Sequence, residues 1–115
     1  MSSSVLGLSI DCGDAAKLAQ FWADVLGSSV SPDPTPEFAA IDADGGTPRL
    51  AFHQVPEAKT VKNRLHLDLR VGDAERDAVV ARLLERGATK LHDGAQGPFR
   101  WVTLADPEGN EFCVA

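Results

Sequence analysis

Three side chains with chemistry to offer stand at every second position of RLHLDLRV, residues 64–71: His66, Asp68 and Arg70. An imidazole titrates near neutral pH, so it can carry a proton or ligate a metal. A carboxylate two residues on can act as a general base or pair with the arginine. In an extended chain this spacing puts all three on one face, with Leu65, Leu67 and Leu69 on the other. An earlier stretch, LGLSIDCGDA at residues 6–15, has the same shape and lacks the histidine. There Leu6, Leu8 and Ile10 share one face, and Gly7, Ser9 and Asp11 the other. Cys113 reads as a small packed side chain, since cysteine often behaves as a hydrophobe. Its thiol paired with His66 is the alternative, and no orienting carboxylate or helix start stands beside it in the sequence.

These residues need elements to hold them. Val5–Cys12 predicts a strand, and Asp14 an N-cap, because its carboxylate can accept from an orphan helix N–H. Leu18, Phe21, Trp22, Val25 and Leu26 follow at helical spacing and form a core stripe. Gly27 suits the left-handed position that closes a helix. A short edge strand fits Ser28–Val30 before the proline-rich SPDPTP. Phe38–Ile41 and Arg49–Val55 predict strands around the turn DADGGT, and 56–63 is a polar connector.

The pattern then restarts. Leu65–Val71 predicts a strand and Asp73 a second N-cap. Val79, Val80, Leu83 and Leu84 form a helix face, and Gly87 ends it. Ala88–Leu91 predicts a short strand, Phe99–Ala105 a longer one, and Glu111–Ala115 the last, after the turn ADPEGN. Trp101 shares a strand face with Phe99, as core or as a flat wall for a ligand ring. His92 falls in LHDG, which reads as a loop. Cys12-Gly-Asp-Ala matches Val71-Gly-Asp-Ala at an offset of 59 residues. DADGG before RLAF matches DPEGN before EFCV at a slightly larger offset. The order is therefore a duplicated βαβββ unit in an α+β protein. One domain spans 1–115, with modules at 5–55 and 64–115 and a linker at 56–63. Paired modules predict a shared, concave sheet face lined by His66, Asp68, Arg70, Ser9, Asp11, Trp101 and Cys113, a natural place for a small molecule.

Composition narrows the partners. The chain has 115 residues, 43% of them hydrophobic, and a formal net charge of −6. That matches a folded globular chain and offers no basic stripe for nucleic acid. No run approaches the roughly 18 apolar residues of a membrane span. Two cysteines do not make a disulfide framework, and the first residues carry no secretory signal, so the expectation is a soluble cytoplasmic protein.

The sequence resembles the vicinal oxygen chelate superfamily, and most closely the small glyoxalase-like domains. The resemblance rests on FWADVLG, RLHLDLRV, RGAT and above all DPEGNEFCV, and it runs from Val5 to Ala115. It implies paired βαβββ modules, a homodimer, and a divalent metal held by the first and last strands of each module. Carried over residue by residue, the four ligand positions fall on Gly7, Ala51, His66 and Cys113. Two of these have no donor. His53, two residues from Ala51, is the third candidate ligand beside His66 and Cys113. The resemblance leaves two expectations. One is a metal-assisted lyase, isomerase or dioxygenase with Asp68 as base. The other is a metal-free binding protein of the bleomycin-resistance kind.

Overall fold

The computed structural model describes residues 2–115. The chain divides after Ala58 into two compact units, the second running Lys59–Ala115. The architecture is α+β, with two sheets and two helices. No helix among the described residues is long and apolar enough to cross a membrane.

In the first unit, β1 (Gly7–Cys12) leads into α1 (Ala15–Leu26), followed by β2 (Phe38–Ile41) and β3 (Arg49–Gln54). The Asp14 carboxylate accepts from the Lys17 N–H at 3.1 Å and starts α1 as expected. Gly27 ends it at φ 63°, its N–H turned back to the last turn. Leu18, Phe21 and Trp22 are buried, with Ala15, Ala19 and Ala23 between them. Those small residues let α1 lie close against β2 and β3. The sheet order is β1-β3-β2, with β1 parallel and β2 antiparallel to β3. Leu50 and Phe52 on β3 and Ile41 on β2 complete this core. Burying side chains of this size contributes about 1.5–3 kcal/mol each.

Two expectations fail here. Ser28–Val30 is not a strand, so the unit is βαββ. A single bond, Ser31 N–H to the Ala40 carbonyl at 2.8 Å, joins this segment to β2. Pro32, Pro34 and Pro36 lack the N–H that a longer ladder needs, and Asp33 stands at φ 63°. The first strand also begins at Gly7, and Leu6 is 88% exposed instead of packed.

The second unit is βαβββ: β4 (Asp68–Leu69), α2 (Arg76–Glu85), β5 (Thr89–Gln96), β6 (Phe99–Ala105) and β7 (Glu111–Val114). The order is β4-β7-β6-β5, and only β4 pairs in parallel. Val102, Leu104, Phe112 and Val114 are buried on one sheet face, and Val80 and Leu83 are the buried apolar residues of α2. The strand expected at Leu65–Val71 is regular only at Asp68–Leu69. Its neighbours still bond to β7: the Cys113 N–H donates to the Leu67 carbonyl at 2.9 Å, and the Val71 N–H to Ala115 at 2.8 Å. Leu65 lies beyond that ladder and is 86% exposed.

Asp73 is not a cap. The turn at Gly72, φ 97°, delays the helix to Arg76, and no side chain caps its start. The Asp73 carboxylate instead takes the guanidinium of the buried Arg76. Gly87 does end α2, at φ 112°. β5 is twice the expected length and contains His92 and Gly94, with a bulge between Lys90 and His92. Gly94 reads as a breaker in sequence, yet the strand needs it: a Cβ there would fall inside the Trp101 indole on β6. The β6–β7 turn is tied by Asp106, whose carboxylate accepts from the N–H groups of Glu108 and Asn110, both at 2.9 Å.

The connector is fastened at Glu111. Its carboxylate accepts from the Asn63 N–H at 3.0 Å and meets Lys59 Nζ at 3.1 Å. The Asn63 hydrogen bond, above all, holds this carboxyl below its ordinary 4.5; burial opposes it, and Lys59 adds to the lowering. A depressed folded value adds stability above the unfolded value, lost as pH falls through the folded one. Glu111→Gln should therefore lower stability at neutral pH, and the gap to the parent should narrow in denaturation curves taken at successively lower pH below 4.5. Gly94→Ala should cost about 1–3 kcal/mol by overpacking against Trp101, read from the shift in urea midpoint.

Candidate functional site

Alternation along each strand gives each sheet one helix-facing side and one open side. In the first unit the open side carries Ser9 and Asp11 on β1, opposite Ala51 and His53 on β3. Ser9, Asp11 and His53 are exposed, and Ala51 is buried. The His53 ring meets Phe38 edge-on at 5.2 Å, and Arg49 reaches over the same Phe38 ring at 6.0 Å. A shallow surface recess in this unit, lined by Gly13, Gln54, Val55 and Pro56, offers no titratable side chain.

The chemistry concentrates in the second unit. Register aligns Asp68, Cys113, Thr103 and His92 in one row across β4, β7, β6 and β5. His66 precedes Asp68 by two residues, and its Nδ1 lies 3.6 Å from Asp68 Oδ1. Asp68 thus pairs with His66, where the sequence suggested Arg70, which is exposed. The Thr103 hydroxyl and Cys113 Sγ are 3.5 Å apart. One donor atom from each of His66, Asp68 and Cys113 lies within 4.8 Å of the other two. The histidine and aspartate side chains are 40% and 68% exposed, so a solute reaches them, while Cys113 is half-buried. Trp101 stands two residues before Thr103 on the same face, half-buried over Gly94.

The structure thus brings together His66, Asp68 and Cys113, with Trp101 and Arg70 on the same sheet side. Ser9, Asp11 and His53 belong to the other unit. Thr103 went unnoticed in sequence, and His92, read there as a loop residue, lies within β5. The Thr103 contact follows from the register of the last hairpin, and its only signal is that 103 and 113 flank the turn at similar distance. His92 was hidden by LHDG, whose glycine suggests a loop.

The metal that the resemblance implies does not fit its four positions. Gly7 lacks a donor and has no room for one: a Cβ would lie 2.6 Å from the Arg49 carbonyl oxygen. Ala51 is 4% exposed and has only a methyl group. The first unit therefore supplies neither ligand, and the fourth position holds a thiol in place of a carboxylate.

Comparison with known proteins agrees with the fold. Residues 7–115 match the family model described as a glyoxalase-like domain. The fosfomycin resistance protein FosX of Listeria monocytogenes, an E126Q mutant complexed with Mn(II) and 1S,2S-dihydroxypropylphosphonic acid, superposes with a TM-score of 0.80. The match covers 99% of this chain and 90% of that one at 12% identity. A glyoxalase/bleomycin resistance protein/dioxygenase family enzyme from Burkholderia phytofirmans PsJN gives 0.75 at 22% identity, covering 96% and 97%. A possible glyoxalase from Bacillus cereus gives 0.76 at 18% identity, covering 98% of both chains. No curated protein matches the chain.

The blocked position makes a direct test. Gly7→His should place no usable ligand and should cost about 1–3 kcal/mol through the clash with Arg49. Denaturation and elemental analysis after manganese loading read both effects. A variant as stable as the parent and newly holding manganese would refute the reading.

Proposed function

The chain belongs to the glyoxalase-like domain family of the vicinal oxygen chelate superfamily, and we propose that it binds a small organic molecule on the open face of its second sheet. One observation carries this reading. A row of hydrogen-bonding side chains, with His66 and Asp68 exposed, Cys113 half-buried and Thr103 buried, shares the sheet face that carries the half-buried indole of Trp101. An aromatic wall with a few placed polar groups is the usual make-up of a small-molecule site. Trp101 would stack against a planar or apolar part of the ligand. His66 can donate or accept a hydrogen bond, and Arg70 adds a positive charge for an anionic group. The blocked Gly7 position and the bare Ala51 favour recognition over the superfamily's metal chemistry.

A second reading, an enzyme, is favoured by the 3.6 Å approach of His66 Nδ1 to Asp68 Oδ1. Two titratable groups at that distance can relay a proton to or from a bound substrate, with Asp68 as base. Lyase, isomerase or dioxygenase activity belongs to this second reading.

Trp101 gives the test its signal, because the other tryptophan, Trp22, is buried in the first unit's core. A library of small carboxylates, phosphonates and aromatic alcohols is screened by thermal shift, and hits are titrated by tryptophan fluorescence. Binding should survive excess chelator. His66→Ala, read by fluorescence, and Trp101→Ala, read by calorimetry because it loses the reporting indole, should each weaken it about tenfold, the equivalent of 1.4 kcal/mol. Hits that bind both variants as tightly as the parent would sink the proposal, as would a screen with no hit.

A further inference from the structure

We propose that Cys113 is a covalent capture site for planar α,β-unsaturated carbonyl compounds, with His66 as the base that takes the thiol proton. This rests on the reading of the second sheet's open face as a small-molecule site, and it names a ligand class for that face. In sequence no orienting carboxylate stands beside the thiol. The fold supplies one: Asp68, expected to pair with Arg70, stands 3.6 Å from His66 Nδ1.

Thiol addition needs a nucleophile, a base and a group that orients the base. Cys113 Sγ, one imidazole nitrogen of His66 and one carboxylate oxygen of Asp68 all lie within 4.8 Å of one another. Such contacts are often long in a free protein and tighten once a ligand is bound. The thiol itself is held in place. Phe112 and Val114 on either side of it are buried in the core, and its own N–H is bonded to the Leu67 carbonyl at 2.9 Å. The Thr103 hydroxyl is 3.5 Å from Cys113 Sγ and can donate to the sulfur as its proton leaves. The other thiol, Cys12, is buried and donates to the His53 carbonyl at 3.5 Å.

The surroundings of the sulfur set the ligand class. Trp101 is the diagonal neighbour of Cys113 across the β6–β7 pair, about 7–8 Å away by strand geometry. Its indole lies against Gly94 on β5, on the side of β6 away from β7. A molecule that meets both must be flat and elongated, with its electrophilic carbon at the sulfur end. An aryl ketone conjugated to an alkene has that shape. The thiol proton passes to His66, and the sulfur bonds to the far carbon of the alkene. The alkene π pair moves toward the carbonyl and forms an enolate. The carbon next to the carbonyl then takes the proton back from His66, and Asp68 stabilises the imidazolium between the two transfers. One C–S and one C–H bond replace the S–H bond and the alkene π bond, with no oxidant or reductant.

The test uses the whole chain, with crotonophenone as the planar probe and iodoacetamide as a thiol reagent that has no ring. Intact mass spectrometry should show a single adduct, mapped to Cys113 by peptide analysis and absent in Cys113→Ser. Crotonophenone should add to the protein at least about tenfold faster than to free N-acetylcysteine, because the face holds it in place. His66→Ala and His66→Gln should each slow the addition about tenfold, since an unassisted thiol keeps part of its reactivity. Trp101→Ala should slow crotonophenone by a similar factor and leave iodoacetamide unchanged, a split that a general loss of structure would not give. Cys12→Ala should leave both reactions unchanged. An adduct that survives Cys113→Ser, a rate no greater than that of N-acetylcysteine, a rate that neither His66 variant lowers, or equal slowing of both reagents in Trp101→Ala would each overturn the capture site. Hits from the fluorescence screen would still bind the parent reversibly in that case, so the capture step and the reading of the face fail separately.

Discussion

Everything at this site depends on the register between β4 and β7. That pairing is parallel and places Asp68 directly beside Cys113. Because side chains alternate along a strand, a slip of one residue would turn His66, Asp68 and Arg70 to the helix side and the leucines outward. The buried partners prevent it. Phe112 and Val114 are almost fully enclosed on one face of β7, which leaves Glu111 and Cys113 no choice but the other. The core thus aims the polar residues without touching them. Two further constraints hold the register from either side. Glu111 fastens the connector that leads into β4, and Asp106 ties the turn that leads into β7.

The two units begin from the same sequence shape and diverge where chemistry would start. In each, a first strand alternates apolar and polar residues before a helix, and that strand pairs in parallel with a strand later in the unit. In the first unit Gly7 stands hard against the Arg49 carbonyl, and buried Ala51 sits opposite Ser9. In the second unit the matching positions, just before β4 and on β7, hold His66 and Cys113. Close backbone approach in one unit and donor side chains in the other are alternative uses of the same two positions. A side chain at residue 7 would need the space that the first sheet's packing already fills.

The sequence was most legible where one physical cause dominates. Both helices follow their apolar spacing, and Gly27 and Gly87 close them in left-handed conformations. Phe38–Ile41, the β6–β7 hairpin and the side of the sheet on which His66 and Asp68 lie could all be read from patterning alone. Errors came where tertiary contacts override local preference. Asp73 has the right type and place for a cap, yet the buried Arg76 guanidinium competes for it and wins. Gly94 reads as a break until the Trp101 ring is seen to need the space. Asp68 and Arg70 have complementary charge at the right spacing, but His66 is the nearer partner. Thr103 was illegible because its value lies in a cross-strand partner ten residues away, which spacing does not reveal.

A site confined to one sheet edge has an energetic consequence as well as a chemical one. β4 is only two residues long and pairs on one side alone, so its hold on β7 rests on a few backbone bonds. Bonds from Cys113 N–H to Leu67 and from Ala115 N–H to Leu69 carry the pairing on this edge, and the Val71 N–H returns to Ala115 beyond it. The segment leading into β4 is held by the Asn63 N–H on the Glu111 carboxylate. The short pairing of β4 and the exposed positions of His66 and Asp68 are thus two aspects of one arrangement, in which the core of β7 sets the direction of side chains that solvent still reaches.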